Sequence, residues 1–310
     1  MAKSLQEGSR GFKSFGEVSI MSGWNKLMVS SGSTKHYLNS VAKLPLAPTL
    51  VTELLALFRD PDKDVSRVVE LISYEPSLTV EILRNCNSAY FAGGEPPSDI
   101  FEAVARMGFY EVYCLVVAMF GATARSMQGA DKGVDIHGLW RHSVAVAVSA
   151  SVIAERAGES KVVAFTAGLL HDMGKLVLAS VERERYAELF ETAKMQGIVF
   201  NRAEQSALET NHAELGGELM HRWNLPLEIV AAVRYHHDLE SAPSYGRLTA
   251  VVQLADLVAH QVCGEDLVNT DLMTFSNGAM DRLQFRPDDV ALLVNKSQEE
   301  MQRVKSMLQI

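Results

Sequence analysis

Cysteine is scarce: only Cys86, Cys114 and Cys263 occur among 310 residues, and no two stand at a CxxC spacing. That sets aside a thiolate zinc site, and an odd count on apolar, helix-like stretches points to reduced thiols in a cytoplasmic chain. Long apolar runs are missing too. The most apolar windows, 162–178 and 248–263, are short or interrupted by charge, which argues against a membrane span. The opening MAKSLQEGSRGFKSFGEVS lacks the apolar core of a secretion signal, so nothing there marks the chain for export. Positive charge is in short supply. Lys and Arg number 29 against 38 Asp and Glu, a net charge of −9, which speaks against direct nucleic-acid binding over a broad face. An anionic ligand would need a local cluster of cations instead. Period-2 alternation bounded by turn signals is almost absent, as are internal repeats and low-complexity segments, so the expected class is all-α.

Helical periodicity is abundant. Residues 1–35, with Gly and Ser clusters, read as an N-terminal extension holding one short helix around Ile20–Val29. A first helical half spans 36–128. In LPLAPTLVTELLALFRDPDKD the apolar Leu50, Val51, Leu54, Leu55, Leu57 and Phe58 line one helix face, which Pro61 ends. Further helices lie in DVSRVVELISYEP and SLTVEILRNCNSAYF, and two more around a break near Gly108. The polar QGADKGVDI links to a second half, 129–265. Helices are expected there at about 138–156, 160–180, 183–196, 201–222, 226–237 and 246–263. Residues 266–310 end the chain with one or two amphipathic helices.

The second half carries ionisable groups where packed helices do not need them. AGLLHDMGKLVLA sets His171, Asp172 and Lys175 inside an otherwise apolar stretch, and buried charge is costly unless it is paired, bound to metal or put to use. His142 heads a run of small apolar residues. Asp256 sits in LTAVVQLADLVAHQ, sharing its face with Gln253 and His260; His212 lies in NHAELGGELMHRW, and His236 and His237 end EIVAAVRYHHD. A lone histidine in an amphipathic helix is ordinarily a hydrogen-bonded core or surface residue. His221 and His260 are read as structural, and His36 and His137 as helix-edge residues. The set is different. His142, His171, Asp172, His212, His236, His237 and Asp256 form an N/O donor set without thiolates. It suits one or two divalent ions, iron or manganese first, zinc or magnesium next. Asp172 could bridge two ions, and such a pair activates water and clamps a phosphoryl oxygen. Asp172 and Lys175 are therefore the candidate catalytic residues. Lys175 shares the face of His171 and Asp172, where it either contacts a phosphate or forms a salt bridge to Asp172.

GLLHDMGKLVL resembles the signature of the HD superfamily of metal-dependent phosphohydrolases, and His142, His171–Asp172 and Asp256 reproduce its H…HD…D order. The stretch from LPLAPTLVTELL to NSAYF resembles the N-terminal helices of HDOD domains, as HAELGGELMHRWNLPLEIVAAVRYHHD does a later segment. The likeness runs from about Leu44 to His260, roughly 70% of the chain. It implies an N-terminal helical bundle packed on an HD-type helical core, and a bacterial signalling module that regulates through a protein partner. The alternative it implies is a phosphohydrolase acting on a small phosphorylated nucleotide or a cyclic dinucleotide. By likeness to HD-GYP phosphodiesterases, His212, His236 and His237 fall where a second ion's ligands lie. The GYP tripeptide is missing after YHHD, and Gly138 stands where a third ion's carboxylate would be, so cyclic di-GMP cleavage in the HD-GYP manner is not expected. One feature separates the readings. A hydrolase gathers Lys175, Arg141, Arg222 and Arg234 around the metal opening, whereas a docking module leaves them scattered and exposes an apolar surface, expected on 286–310.

Overall fold

A computed structural model describes residues 31–40, 49–60, 65–73, 76–87, 97–126, 135–242, 245–264 and 270–308. No strand occurs among them. The expected helix at Ile20–Val29 and most of the linker at 128–136 lie outside the described residues.

The N-terminal bundle comprises α2 (Thr49–Arg59), α3 (Val65–Ser73), α4 (Pro76–Cys86), α5 (Ile100–Met107) and α6 (Phe109–Ser126), preceded by α1 (Gly32–Ser40). The break between α5 and α6 falls at Gly108, whose φ of 85° favours glycine. Buried Leu54, Ile72, Ile82 and Tyr113 fill this bundle. Tyr113 ties it to the next layer, its hydroxyl lying 2.5 Å from Thr166 Oγ1.

The second half runs through α7 (Ile136–Ala157), α8 (Lys161–Leu170), α9 (Met173–Val181), α10 (Arg183–Gln196), α11 (Phe200–Leu208), α12 (His212–Arg222), α13 (Leu227–Tyr235) and α14 (Gly246–Cys263). Then α15 (Thr270–Leu283) and α16 (Pro287–Leu308) pack on the outside. At the centre α14 is buried from Leu248 to Ala259 and packs on α7, α8 and α13. Ala145, Ala147 and Ala150 keep α7 slim, so α8 comes close enough that a Cβ on Gly168 would sit 3.0 Å from the Ala147 Cα. The apolar stretch Lys161–Val181 has the length and composition to cross a membrane, yet 83% of its apolar window is buried inside this fold. None of the three cysteines forms a disulfide. Cys86 and Cys114 are buried, but Cys263 is exposed.

Three expectations are corrected. The helix expected over 160–180 is two helices, parted at His171–Asp172, where Asp172 takes φ −99° and ψ 10°. The helix expected over 201–222 is also two, parted by Glu209 at φ 56°. Asn211 then caps α12, its side chain accepting from the Glu214 amide at 2.9 Å. Residues 32–40, in part assigned to a loose extension, form α1, which packs on α9 and α12 through a buried 2.7 Å Thr34–Thr210 hydroxyl contact. In each case a local break or a tertiary contact overrides the helical periodicity.

Candidate metal centre

The polar residues picked out in the second half converge on one buried region. His142 comes from α7, Asp256 from α14, and His171 and Asp172 from the break between α8 and α9. His212 opens α12, while His236 and His237 follow α13. All but His237 are fully or nearly fully buried.

Local folding sets the imidazoles. His171 ends α8 and donates its Nδ1 hydrogen to the Gly168 carbonyl at 2.7 Å. His236 ends α13 in the same manner, donating Nδ1–H to the Val233 carbonyl at 2.7 Å. Each bond satisfies one of the carbonyls left over at a helix C-terminus, and a carbonyl only accepts. Nδ1 is thereby fixed as the donor and each Nε2 faces the centre, as a lone pair on His236, whose ring is held neutral. His212 is held likewise: Nδ1 donates to the Glu204 carboxylate at 2.5 Å, which turns Nε2 toward the centre.

Those Nε2 atoms face a shared set of polar atoms. His212 Nε2 lies 3.4 Å from Asp172 Oδ1, a carboxylate oxygen with no hydrogen-bond partner, and 2.9 Å from His237 Nε2. His171 Nε2 lies 3.2 Å from Asp172 Oδ2, and His236 Nε2 also has no partner. Buried acceptors without donors are uncommon and costly. Ligands about 2.1 Å from one ion stand about 2.9–3.5 Å apart at tetrahedral or octahedral angles, the spacing seen here. Two donor groups result, His142–His171–Asp172 with Asp256 beside them, and His212–His236–His237, with Asp172 turning one oxygen toward each. The donor set fits a divalent ion.

Two participants were missed or misread in the sequence. Glu204 is fully buried behind His212, though it reads as an ordinary acidic residue of a short amphipathic helix. His260, read as structural, places Nε2 3.6 Å from Asp256 Oδ1 with its ring 4.7 Å from that of His142. The spacing from Asp256 to His260 was its signal. Of the two roles for Lys175, the structure displays the ion pair, with Nζ 2.7 Å from Asp172 Oδ2. The arginines do not gather here: Arg234 pairs with Glu218, Arg222 bonds Asn39, and Arg141 is exposed.

Electrostatics favours the ligand forms of His236, His237, Asp172 and Asp256. Burial, with His171 and His212 nearby, pushes the His236 pKa down to about 3; burial and His236 hold His237 well below the usual imidazole range. Burial opposes ionisation of Asp172, but His171 and Lys175 override it and hold its pKa well below the carboxylate range. Asp256 is lowered too, against burial, by its 2.9 Å hydrogen bond from His142. His171 goes the other way, raised by Asp172 against its burial. The folded pKa values of His236 and His237 lie below the unfolded value near 6.5, so their contribution to stability is whole above that pH. It drains as pH falls toward 3, by about 1.4 kcal/mol per unit for each fully shifted group. His171 contributes in the opposite sense. In chelator, the midpoint of thermal unfolding should fall between pH 7.5 and 5, and His236→Gln should flatten that slope. An unchanged slope in the variant would refute the assignment.

The HDOD domain family model matches residues 44–239, more than half of the chain. The chain belongs to the HDOD family. A Treponema pallidum protein without an assigned function is 29% identical over 225 residues, 72% of this chain and 43% of that one. The HDOD chain thus spans less than half the length of this curated relative. An HDOD protein of unknown function from Geobacter sulfurreducens has a solved structure that superposes with a TM-score of 0.70 at 24% identity, covering 88% of this chain and 96% of that one. A Shewanella amazonensis protein, provisionally named a phosphohydrolase, gives 0.65 at 23% identity, covering 89% and 96%. These two superpositions show that the all-helical fold is shared.

Proposed function

We propose that this HDOD chain is a signalling module whose HD site holds one or two divalent ions, iron or manganese first, and that its ion-fastened helices regulate a protein partner. The observation that carries it is the enclosed convergence of donors from separate helices: His142, His171, Asp172, His212, His236 and Asp256 are each 7% exposed or less. An ion held there ties α7, α9, α12 and α14 into one arrangement, so its presence controls how they pack. Scattered arginines, paired elsewhere, suit docking better than binding of a phosphorylated substrate. Large apolar side chains exposed at Phe190, Met195 and Ile198 offer a partner a surface on α10 and its exit; on α16, where one was expected, Leu292 is 44% exposed.

Phosphohydrolase action on a small nucleotide is the second reading, favoured by the partly exposed Lys175 beside Asp172. Bound ions would supply activated water and charge for a phosphoryl group. The chain's own part would be to orient that group with Lys175 and to hold the imidazoles neutral.

The test is thermal unfolding of chelated protein with and without Mn2+ or anaerobic Fe2+, alongside phosphate release from nucleotides and cyclic dinucleotides. A large metal-dependent rise in the unfolding midpoint without turnover supports regulation. Turnover that needs both metal and Lys175 selects the second reading. No shift and no turnover would reject both.

A further inference from the structure

We propose that Glu204, braced by Tyr186, is the positioning residue that aims His212 into the centre and gives the second ion position its affinity; this rests on the metal reading above. Glu204 lies on α11, away from every candidate ligand in sequence, and is fully buried. Its Oε2 accepts twice from one residue, from His212 Nδ1 at 2.5 Å and from the His212 backbone amide at 3.0 Å. That amide is one of the otherwise unpaired donors at the start of α12. Its Oε1 accepts from the Tyr186 hydroxyl at 2.5 Å. Tyr186, 1% exposed on α10, is itself fixed by edge contact with the Phe200 ring at 5.5 Å.

Three features give this arrangement a purpose beyond packing. First, the carboxylate grips the ring and the backbone of the same histidine, so His212 keeps neither rotational freedom nor a choice of tautomer. Second, among the described residues no lysine or arginine forms an ion pair with Glu204, so its carboxylate acts on the centre through the His212 imidazole, whose Nε2 on the far side meets Asp172 Oδ1 and His237. Third, a carboxylate behind a ligating imidazole makes that ligand more basic and orients it, and losing such a partner weakens metal binding about 10–100-fold. The other histidines at helix ends lean on neutral carbonyls. His212 alone among these three has a charged support, and Asp172 and His237 beside it belong to the second position.

The test uses the full chain and two readouts. In chelated, 15N-histidine-labelled protein, nitrogen shifts report the His212 tautomer; the binding isotherm for Mn2+, followed by electron paramagnetic resonance of the free ion, reports the positions separately. Wild type is expected to show Nδ1–H. Glu204→Gln keeps an oxygen acceptor, so the tautomer should persist while the second position loses about 10-fold in affinity. Glu204→Leu removes the acceptor, so the tautomers should mix and that position should lose about 100-fold while the other changes little. Tyr186→Phe should keep the tautomer and cost less than Glu204→Gln. A Glu204→Leu protein still wholly Nδ1–H, or one weakened alike at both positions, would overturn the proposal. A wild-type chain that binds no Mn2+ would count against the metal reading, and the tautomer would still decide the role of Glu204.

Discussion

Asp172→Ala should abolish the metal binding proposed for this chain, weakening affinity by more than the roughly 100-fold that loss of a supporting residue can cost. Asp172 is the residue that both donor groups share. Its Oδ2 lies 3.2 Å from His171 Nε2 and 2.7 Å from Lys175 Nζ, and its Oδ1 lies 3.4 Å from His212 Nε2. Removing it takes a ligand from each position. It also leaves the Lys175 ammonium facing the ions without a counter-charge, and like charges repel strongly where little water screens them. Asp172→Asn keeps the volume and removes the charge, so it should fall between wild type and Asp172→Ala. Metal content after purification without chelator or metal-affinity resin, measured by mass spectrometry, decides the matter. Wild-type occupancy in the alanine variant would remove Asp172 from the site and with it the bridging role.

Much of this centre was open to inspection in the chain itself, and for a physical reason. Metal-ligand chemistry restricts residue types, so His142, His171–Asp172, His212, His236–His237 and Asp256 stood out against apolar helices that had no use for them. Helix ends were legible where the chain must stop: the helix expected at 183–196 closes on Gly197 at φ 64°, and the one expected at 246–263 on Gly264 at φ 68°. Breaks without such a signal were not. The turn at His171–Asp172 was not legible in GLLHDMGK: Gly168, Asp172 and Gly174 are weak helix formers, but propensity is a weak signal inside a continuous apolar run, and the tertiary positions of the two side chains require the bend. Asn211 and Glu214 did carry a capping signal, hidden inside a continuous periodic run. Glu204 was beyond reach, since a glutamate on a helix reads as a solvated face until the fold shows what covers it. Lys175 was legible as two alternatives, and only the coordinates display the ion pair.

Gly174→Ala should be among the most damaging single changes available, although Gly174 offers no donor atom of its own. Gly174 lies in the first turn of α9, and a Cβ there would stand 2.0 Å from the His212 carbonyl oxygen, 2.7 Å from its carbon and 2.8 Å from its Cα. All three are backbone atoms at the start of α12, so no side chain can swing aside; the helices must part. Overpacking a core ordinarily costs about 1–3 kcal/mol, and a backbone clash belongs at or above the top of that range. About 3 kcal/mol corresponds to a fall of roughly 6–12 °C in Tm for a domain of this class. Parting α9 from α12 also separates Asp172 from His212, whose 3.4 Å approach depends on that contact, so metal affinity should fall together with stability. Gly278→Ala is the matched control. It lies within α15, and the nearest atom its new Cβ would meet is 4.0 Å away on Leu239. Replacing a glycine inside a helix with alanine should raise stability by about 0.5–1 kcal/mol and leave metal binding alone. Thermal unfolding of the two variants in chelator, followed by Mn2+ titration, makes the comparison. If both behaved as wild type, α9 and α12 would not be in the contact on which the whole centre depends.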